Sequence, residues 1–372
     1  LELRLRDRES RLAADLYYGV FEDADVITRA VRIRNDGASP ADLLKCASLQ
    51  LDFQYGVYEL LTFPGKWAGE RRVSRRKLLR GVESAGSRSG ASGASYNPAA
   101  ILCTEGASEM QGEAYGMAFV YSGNFLIQAE VSTFESTRIL LGIHPDHFRW
   151  TLDPGASFTA PEAVLTYSDE GFGLLSNRFH AFIREHIVRG YWRDRRRPVL
   201  LNSWEAFYFD FDEKSLLSFA DQAADLGIDM LVLDDGWVGK RDDDNSGLGD
   251  WVVNKEKLGG SLKDFVKKIN DKGLKFGIWM EPEMVNEDSD LYRAHPDWAL
   301  ITPGRAPVRG RNQLVLDLSR KEVRDHIYQA ICNVLDSAEI SYLKWDYNRS
   351  ICEACSETAG HQGRVLYDYV LG

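Results

Sequence analysis

Apolar and polar side chains alternate with period two over four stretches of the first 170 residues: LELRLRD, DVITRAVRIRND, AYGMAFVYSG and FLIQAEVST. Successive strand side chains point to opposite faces, so this alternation predicts antiparallel strands with one buried face, punctuated by Gly, Asn and Asp. AGSRSGASGASYNP (85–98) is poor in apolar residues and reads as a flexible surface loop. LDPGASFTAPEAVLTYS (152–168) reads as a turn and a last strand or two. Near residue 170 the period changes. Leu174, Leu175, Phe179, Phe182, Ile183 and Ile187 recur at helical spacing, which predicts a connecting helix over 171–190. The run Arg193, Arg195, Arg196, Arg197 ends at Pro198 and reads as a solvated linker.

Beyond Pro198 short apolar runs alternate with amphipathic segments. PVLLNSW, DMLVLDD, LKFGIWMEPE and ISYLKWD read as strands, and QLVLDLS as a further one between the last two. SLLSFADQAADLG, SLKDFVKKINDKG and SRKEVRDHIYQAICNVLD read as the helices between them. Leu262, Phe265, Val266 and Ile269 share one face of the second helix, with Ser261 and Asp264 at capping-box spacing and Gly273 at the stop. Ser319 and Glu322 suggest the same cap on the third. Nearly all-apolar strands are expected where helices cover a parallel sheet. The fold class predicted is therefore a β domain over 1–170, a connecting helix and linker over 171–197, and parallel α/β over 198–372. A (β/α)8 barrel is favoured because successive units each end in chemistry.

At 372 residues and 44% hydrophobic content the chain can bury a large core, and 32 Gly and 11 Pro exclude collagen-like or broadly disordered readings. The net charge of −11 argues against a general nucleic-acid binder. Its distribution says more. Acids and bases balance at 25 each over 1–200, whereas 31 acids face 20 bases over 201–372. No apolar run reaches 18 residues, so no transmembrane span is expected, and residues 1–12 carry no signal-peptide core. The opening resembles a strand already under way, as in an internal piece of a longer protein. Five cysteines are too few and uneven for a disulfide scaffold, and a reducing, cytoplasmic setting is the default.

The surplus acids gather at strand ends: Trp204 and Glu205; Asp234, Asp235 and Trp237; Trp279, Glu281 and Glu283; Lys344, Trp345 and Asp346. One Asp at a strand end is as readily a cap or turn residue; four ends together, flanked by tryptophan, are not. In a barrel these ends meet at one mouth. Carboxylates accept hydrogen bonds from sugar hydroxyls, indoles stack on a pyranose, and a glycosidase needs two carboxyl groups. Metal readings fail on spacing. Asp242, Asp244, Ser246 and Gly247 resemble the front of a calcium loop, but Val253 stands where its glutamate belongs. Cys352 and Cys355, with Cys332 and His361, lack zinc spacing. Asn348-Arg349-Ser350 is formally a glycosylation sequon, expected to be unmodified, and the seven histidines form no Ser/His/Asp arrangement. No metal and no cofactor are expected.

RGYWRDRRRPVLLNSWEAFYFDFDE, LVLDDGWVGKRDDDNSGLGDW, LKFGIWMEPEMVNEDSDLYRAHPDW, GRNQLVLDLSR and YLKWDYNR resemble the α-galactosidases of glycoside hydrolase family 36, and YSGNFLIQAEV and PEAVLTYSDEGFG resemble their N-terminal β-supersandwich. The resemblance implies a retaining enzyme that releases terminal α-galactosyl residues from melibiose- or raffinose-type sugars. Alternatives are a clan-related galactosyltransferase, an α-N-acetylgalactosaminidase, or a non-catalytic sugar-binding fragment. It further implies Asp346 as nucleophile; Asp234 and Asp235 on the galactose O4 and O6 hydroxyls; Lys344 near O3 and O4; Arg311 near the nucleophile; Trp279 as a pocket wall; and Trp204, Asn348 and Trp67 about the substrate. Tyr347 departs from the methionine usual after the nucleophile. By resemblance the Asp346 strand is the barrel's fourth, although the pattern alone counts it as fifth. The family's acid/base lies on the sixth strand, so this chain is expected to hold half a barrel without it. Asp368 is set in a helical context and is a poor substitute. Members of the family are commonly tetramers.

Overall fold

A computed structural model describes all 372 residues. Two compact units divide the chain: residues 1–194 with 361–370, and residues 195–360 with 371–372. In the first, a nine-stranded sheet runs in the order Glu2–Arg6, Leu12–Phe21, Val26–Asn35, Ala163–Ser168, Ala114–Phe119, Tyr96–Thr104, Tyr58–Pro64, Ser74–Lys77, and Ser157–Thr159 joins it on Val26–Asn35. A four-stranded sheet holds Ala47–Phe53, Thr137–Ile143, Phe125–Val131 and Gly81–Gly86. Every pairing in both is antiparallel. Leu60, Leu102 and Met117 of the larger sheet share one core with Ile127, Ile139 and Leu141 of the smaller. The alternation read from the sequence thus places the inward residues of both sheets on one apolar interior.

Two stretches of this unit behave differently from their pattern. Glu2–Arg6 is a strand but is exposed at every residue: it pairs at the sheet's edge with Leu12–Phe21 alone, and none of its side chains enters the apolar core. The stretch 85–98 is held rather than loose. Ser87 is buried and its N–H donates to the Phe125 carbonyl at 3.0 Å, while the Gly90 N–H donates to Asn124 Oδ1 at 2.8 Å. Gly86 is required there, since a Cβ would stand 2.2 Å from the Phe125 carbonyl oxygen.

The connecting helix forms at Phe172–Phe182 and ends in a π turn over Ile183–Ile187. Residues 361–370, read above as part of the α/β region, group with the first unit. Tyr367 packs its ring against Tyr121, Trp150 and Phe158 at 5.7, 5.3 and 5.2 Å, and Arg364 lies 3.9 Å over the Trp150 ring.

The second unit is built on four parallel strands, Leu200–Asn202, Met230–Leu233, Lys275–Met280 and Tyr342–Trp345, adjacent in chain order. Helices Glu213–Asp225, Leu262–Asn270 and Lys321–Asp336 make the crossovers that parallel neighbours require. Leu216, Ala220, Phe265, Val266 and Ile269 pack with Leu231, Leu233, Phe276 and Ile278. The strand before Asp346 is the fourth. QLVLDLS supplies only Leu314–Val315, paired antiparallel with Met284–Val285 outside the parallel sheet. Ser261 caps its helix, accepting the Asp264 N–H at 3.1 Å. Ser319 does not: its hydroxyl donates to Asp317 Oδ1 at 2.5 Å, and the helix starts from Arg320, whose guanidinium takes Glu322. The first helix begins before the expected serine, at a capping box of Asp212 and Ser215. No helix is long and apolar enough to cross a membrane.

Candidate functional site

Side chains two apart on a strand share a face, and Trp279 lies in register with Lys344. That register sets Trp279 and Glu281 of the third strand end beside Lys344 and Asp346 of the fourth. Asp346 is anchored there, its N–H donating to the Met280 carbonyl at 2.8 Å.

At the end of the second strand two adjacent carboxylates are held by cations. Asp234 Oδ2 accepts from Lys344 Nζ at 2.7 Å and from Asn202 Nδ2 at 2.6 Å, and Oδ1 accepts the Asp235 N–H at 3.0 Å. Asp235 meets Arg241 as a two-pronged pair, Nε to Oδ1 at 2.5 Å and Nη2 to Oδ2 at 2.7 Å, and Oδ1 also takes the Gly236 N–H. Counting two lone pairs per oxygen, each acid keeps one acceptor position, on Oδ1 of Asp234 and Oδ2 of Asp235. Burial pushes the Asp235 pKa above the usual carboxylate range, against the pull of Arg241.

At the fourth strand end the donors are neutral. Asp346 Oδ2 accepts from Trp279 Nε1 at 3.0 Å and Asn348 Nδ2 at 2.7 Å; Oδ1 accepts only the Tyr347 N–H, at 3.0 Å. Glu281 is 1% exposed. Its Oε1 accepts the Asn348 N–H at 2.8 Å, and its Oε2 accepts Asn348 Nδ2 and Gln313 Nε2, each at 3.1 Å. Burial raises its pKa first, and the Asp346 charge adds to the rise.

Asp234, Asp235, Lys344, Trp279, Asp346 and Asn348 therefore form one connected set. Trp204 stands past the first strand, half-buried, edge-on to Tyr208 and Phe209 at 5.2 and 5.1 Å. No hydrogen bond or ion pair joins Arg311 to Asp346. Arg311 and Asn312 sit at positive φ, 52° and 59°, in a two-residue turn between Gly310 and Gln313, with the Arg311 side chain exposed. The residue of GRNQ that reaches inward is Gln313. Trp67 belongs to the first unit, on the 65–73 loop, and is 86% exposed. The Tyr347 hydroxyl is buried without a partner, and burial pushes its pKa up.

Sequence reasoning missed Arg241, which is fully buried. Beyond Asp235 it donates to the Ser246 carbonyl at 2.9 Å and Asn286 Oδ1 at 3.1 Å. Its guanidinium lies 5.8 Å over both the Phe209 and Trp279 rings. The loop over 241–251 therefore wraps an arginine. The signal was present: one basic residue opening a run of acids just after two strand-end aspartates.

Residues 157–372 match the family model described as Melibiase, and residues 1–153 match the glycosyl hydrolase family 36 N-terminal domain. The chain is 52% identical over 372 residues to the bifunctional alpha-galactosidase/sucrose kinase AgaSK of Mediterraneibacter gnavus, covering 100% of this chain and 39% of that protein. It is 48% identical over 374 residues to alpha-galactosidase AgaA of Geobacillus stearothermophilus, covering 100% of this chain and 51% of AgaA. The crystal structure of an AgaA variant in complex with raffinose matches with a TM-score of 0.97 at 47% identity, over 100% of this chain and 52% of that one. The chain thus spans about half the length of AgaA and less of AgaSK. From its antiparallel sheets to the acids at its parallel strand ends, the chain belongs to the melibiases of glycoside hydrolase family 36.

Proposed function

We propose that this chain carries the sugar-recognition and nucleophile end of a retaining α-galactosidase, and that its four parallel strands are the first four of a (β/α)8 barrel. The observation that carries the reading is the pair of centres joined through Lys344 and Asp346 on one strand: a hydroxyl-binding acid held by a cation, and a second acid held by neutral donors. Asp346 Oδ2 is filled by two side-chain donors, which leaves Oδ1 as the attacking atom. Oδ1 bonds to the anomeric carbon as the bond to the departing oxygen breaks. That oxygen keeps the electron pair and takes a proton from the partner acid. Water then attacks the same carbon, freeing Asp346 and restoring the original configuration; such carboxyl pairs stand ~5–5.5 Å apart. Asp234 and Lys344 meet the axial O4 of galactose, and the free acceptor on Asp235 Oδ2 takes a neighbouring hydroxyl. The AgaA variant's complex with raffinose supports raffinose-type sugars as the substrate class.

The test is Asp346→Gly in the full-length protein, assayed on an aryl α-galactoside. Removing the nucleophile lowers turnover by roughly 10⁴-fold. Azide then restores turnover and yields β-galactosyl azide. An azide product of α configuration, or near-normal activity without azide, overturns the assignment.

A further inference from the structure

Glu281 is the most enclosed acid of the site and has no cation against it: its three donors are the amides of Asn348 (twice) and Gln313. A carboxylate buried this way needs every lone pair used well, and two of its bonds go to a single residue. The Asn348 N–H and Nδ2 grip opposite oxygens of Glu281, which fixes both the backbone and the side-chain torsions of Asn348. The same Nδ2 reaches Asp346 Oδ2 at 2.7 Å. With a carboxylate on either side, the amide can sit only with its nitrogen toward both, since its oxygen would repel each. One N–H goes to each acid. Gln313 also turns Nε2 to Glu281 and leaves its Oε1 buried without a partner, an orientation that matches an ionised acid able only to accept.

We infer that Glu281 is a positioning residue for the nucleophile: it clamps Asn348 so that the amide fills Asp346 Oδ2 and leaves Oδ1 aimed at the anomeric carbon. The inference rests on the assignment of Asp346 as nucleophile. Glu281 has no direct hydrogen bond to Asp346 and reaches it by hydrogen bonding through Asn348, which separates a positioning role from a merely structural one.

In Glu281→Gln either amide orientation sets an NH2 group against one of the two Asn348 donors, so the clamp opens while the shape is kept. On an aryl α-galactoside, the full-length E281Q enzyme loses roughly 10–100-fold in kcat, the scale of a misplaced reacting group, with KM within about threefold of wild type. Asn348→Ala loses a similar factor. The double variant is no worse than N348A alone, because both changes act on the same Asn348–Asp346 hydrogen bond. Losses that multiply in the double variant overturn the inference, as does an E281Q enzyme with unchanged kcat. Should E281Q fail to fold, Gln313→Leu removes the other side-chain donor from Glu281 Oε2, loosening the carboxylate, and takes its place in the cycle, with the same two outcomes. Azide rescue of D346G is run beside it. Failure of the rescue removes the nucleophile assignment; rescue with multiplying losses removes only the role of Glu281.

Discussion

The second strand end presents two acids and the third and fourth together present two more, yet the two pairs are satisfied by opposite means. Asp234 and Asp235 face Lys344 and Arg241, so their charge is largely cancelled. Asp346 and Glu281 face indole and amide N–H groups and have no cation hydrogen-bonded to them. Acids that hold hydroxyls lose nothing by being neutralised, whereas an acid that must attack an electron-poor carbon needs its charge. On the function proposed, the difference divides binding from chemistry within one surface.

The largest effect expected on this division is from Arg241→Met. It leaves Asp235 buried against an apolar chain, and removing one partner of such a pair destabilises by about 3–5 kcal/mol. Urea denaturation measures it. Adding Asp235→Asn, which removes the orphaned charge, restores most of the loss; a double variant as weak as the single breaks the contrast.

Next is Lys344→Met. Its side chain is 33% exposed, so folding stability changes less than for Arg241. Asp234 loses its cation, and kcat/KM on an α-galactoside falls about 10–100-fold, the scale of a charged hydrogen bond. An unchanged kcat/KM would place Asp234 outside the sugar's reach.

The smallest concerns pH. The folded-state pKa of Glu281 is raised. Below the ordinary glutamate range the acid is protonated in both states and contributes no difference. As pH rises from that range toward the raised value, the unfolded chain ionises first and folding loses stability. E281Q lacks this loss. Its stability relative to wild type therefore improves from pH 4 to pH 7.5, as read by paired denaturation curves. A flat difference means that burial does not raise the Glu281 pKa.

Much of this was legible in the chain. The second and third strands are apolar on both faces because helices cover them, and Ser261 announces its helix by the bond that its hydroxyl makes. Asp234, Lys344 and Asp346 could be placed because strand ends in such folds converge. What stayed hidden depends on partners far along the chain. Arg241 looks like one charge in a polar loop until Asp235, Asn286 and the Ser246 carbonyl close on it. Leu314 and Val315 have the composition of a barrel strand, but they pair with Met284 and Val285 in the opposite direction, which no local pattern records. Ser319 has the spacing of a cap but is claimed by Asp317. Gln313 was overlooked beside Arg311 because nothing in GRNQ says which side of its turn faces inward.

The two strand ends are also tied together. Trp237, two residues past Asp235, donates its indole N–H to the carbonyl of Trp279 at 2.9 Å, and the Trp279 indole donates to Asp346. Two stiff ring systems thus span the gap between the hydroxyl-holding acids and the attacking one. On the function proposed, such a pocket works as a calliper with its jaws already set: a sugar is accepted for the span between its O4 and its anomeric carbon, and one of the wrong span is refused before any bond is strained.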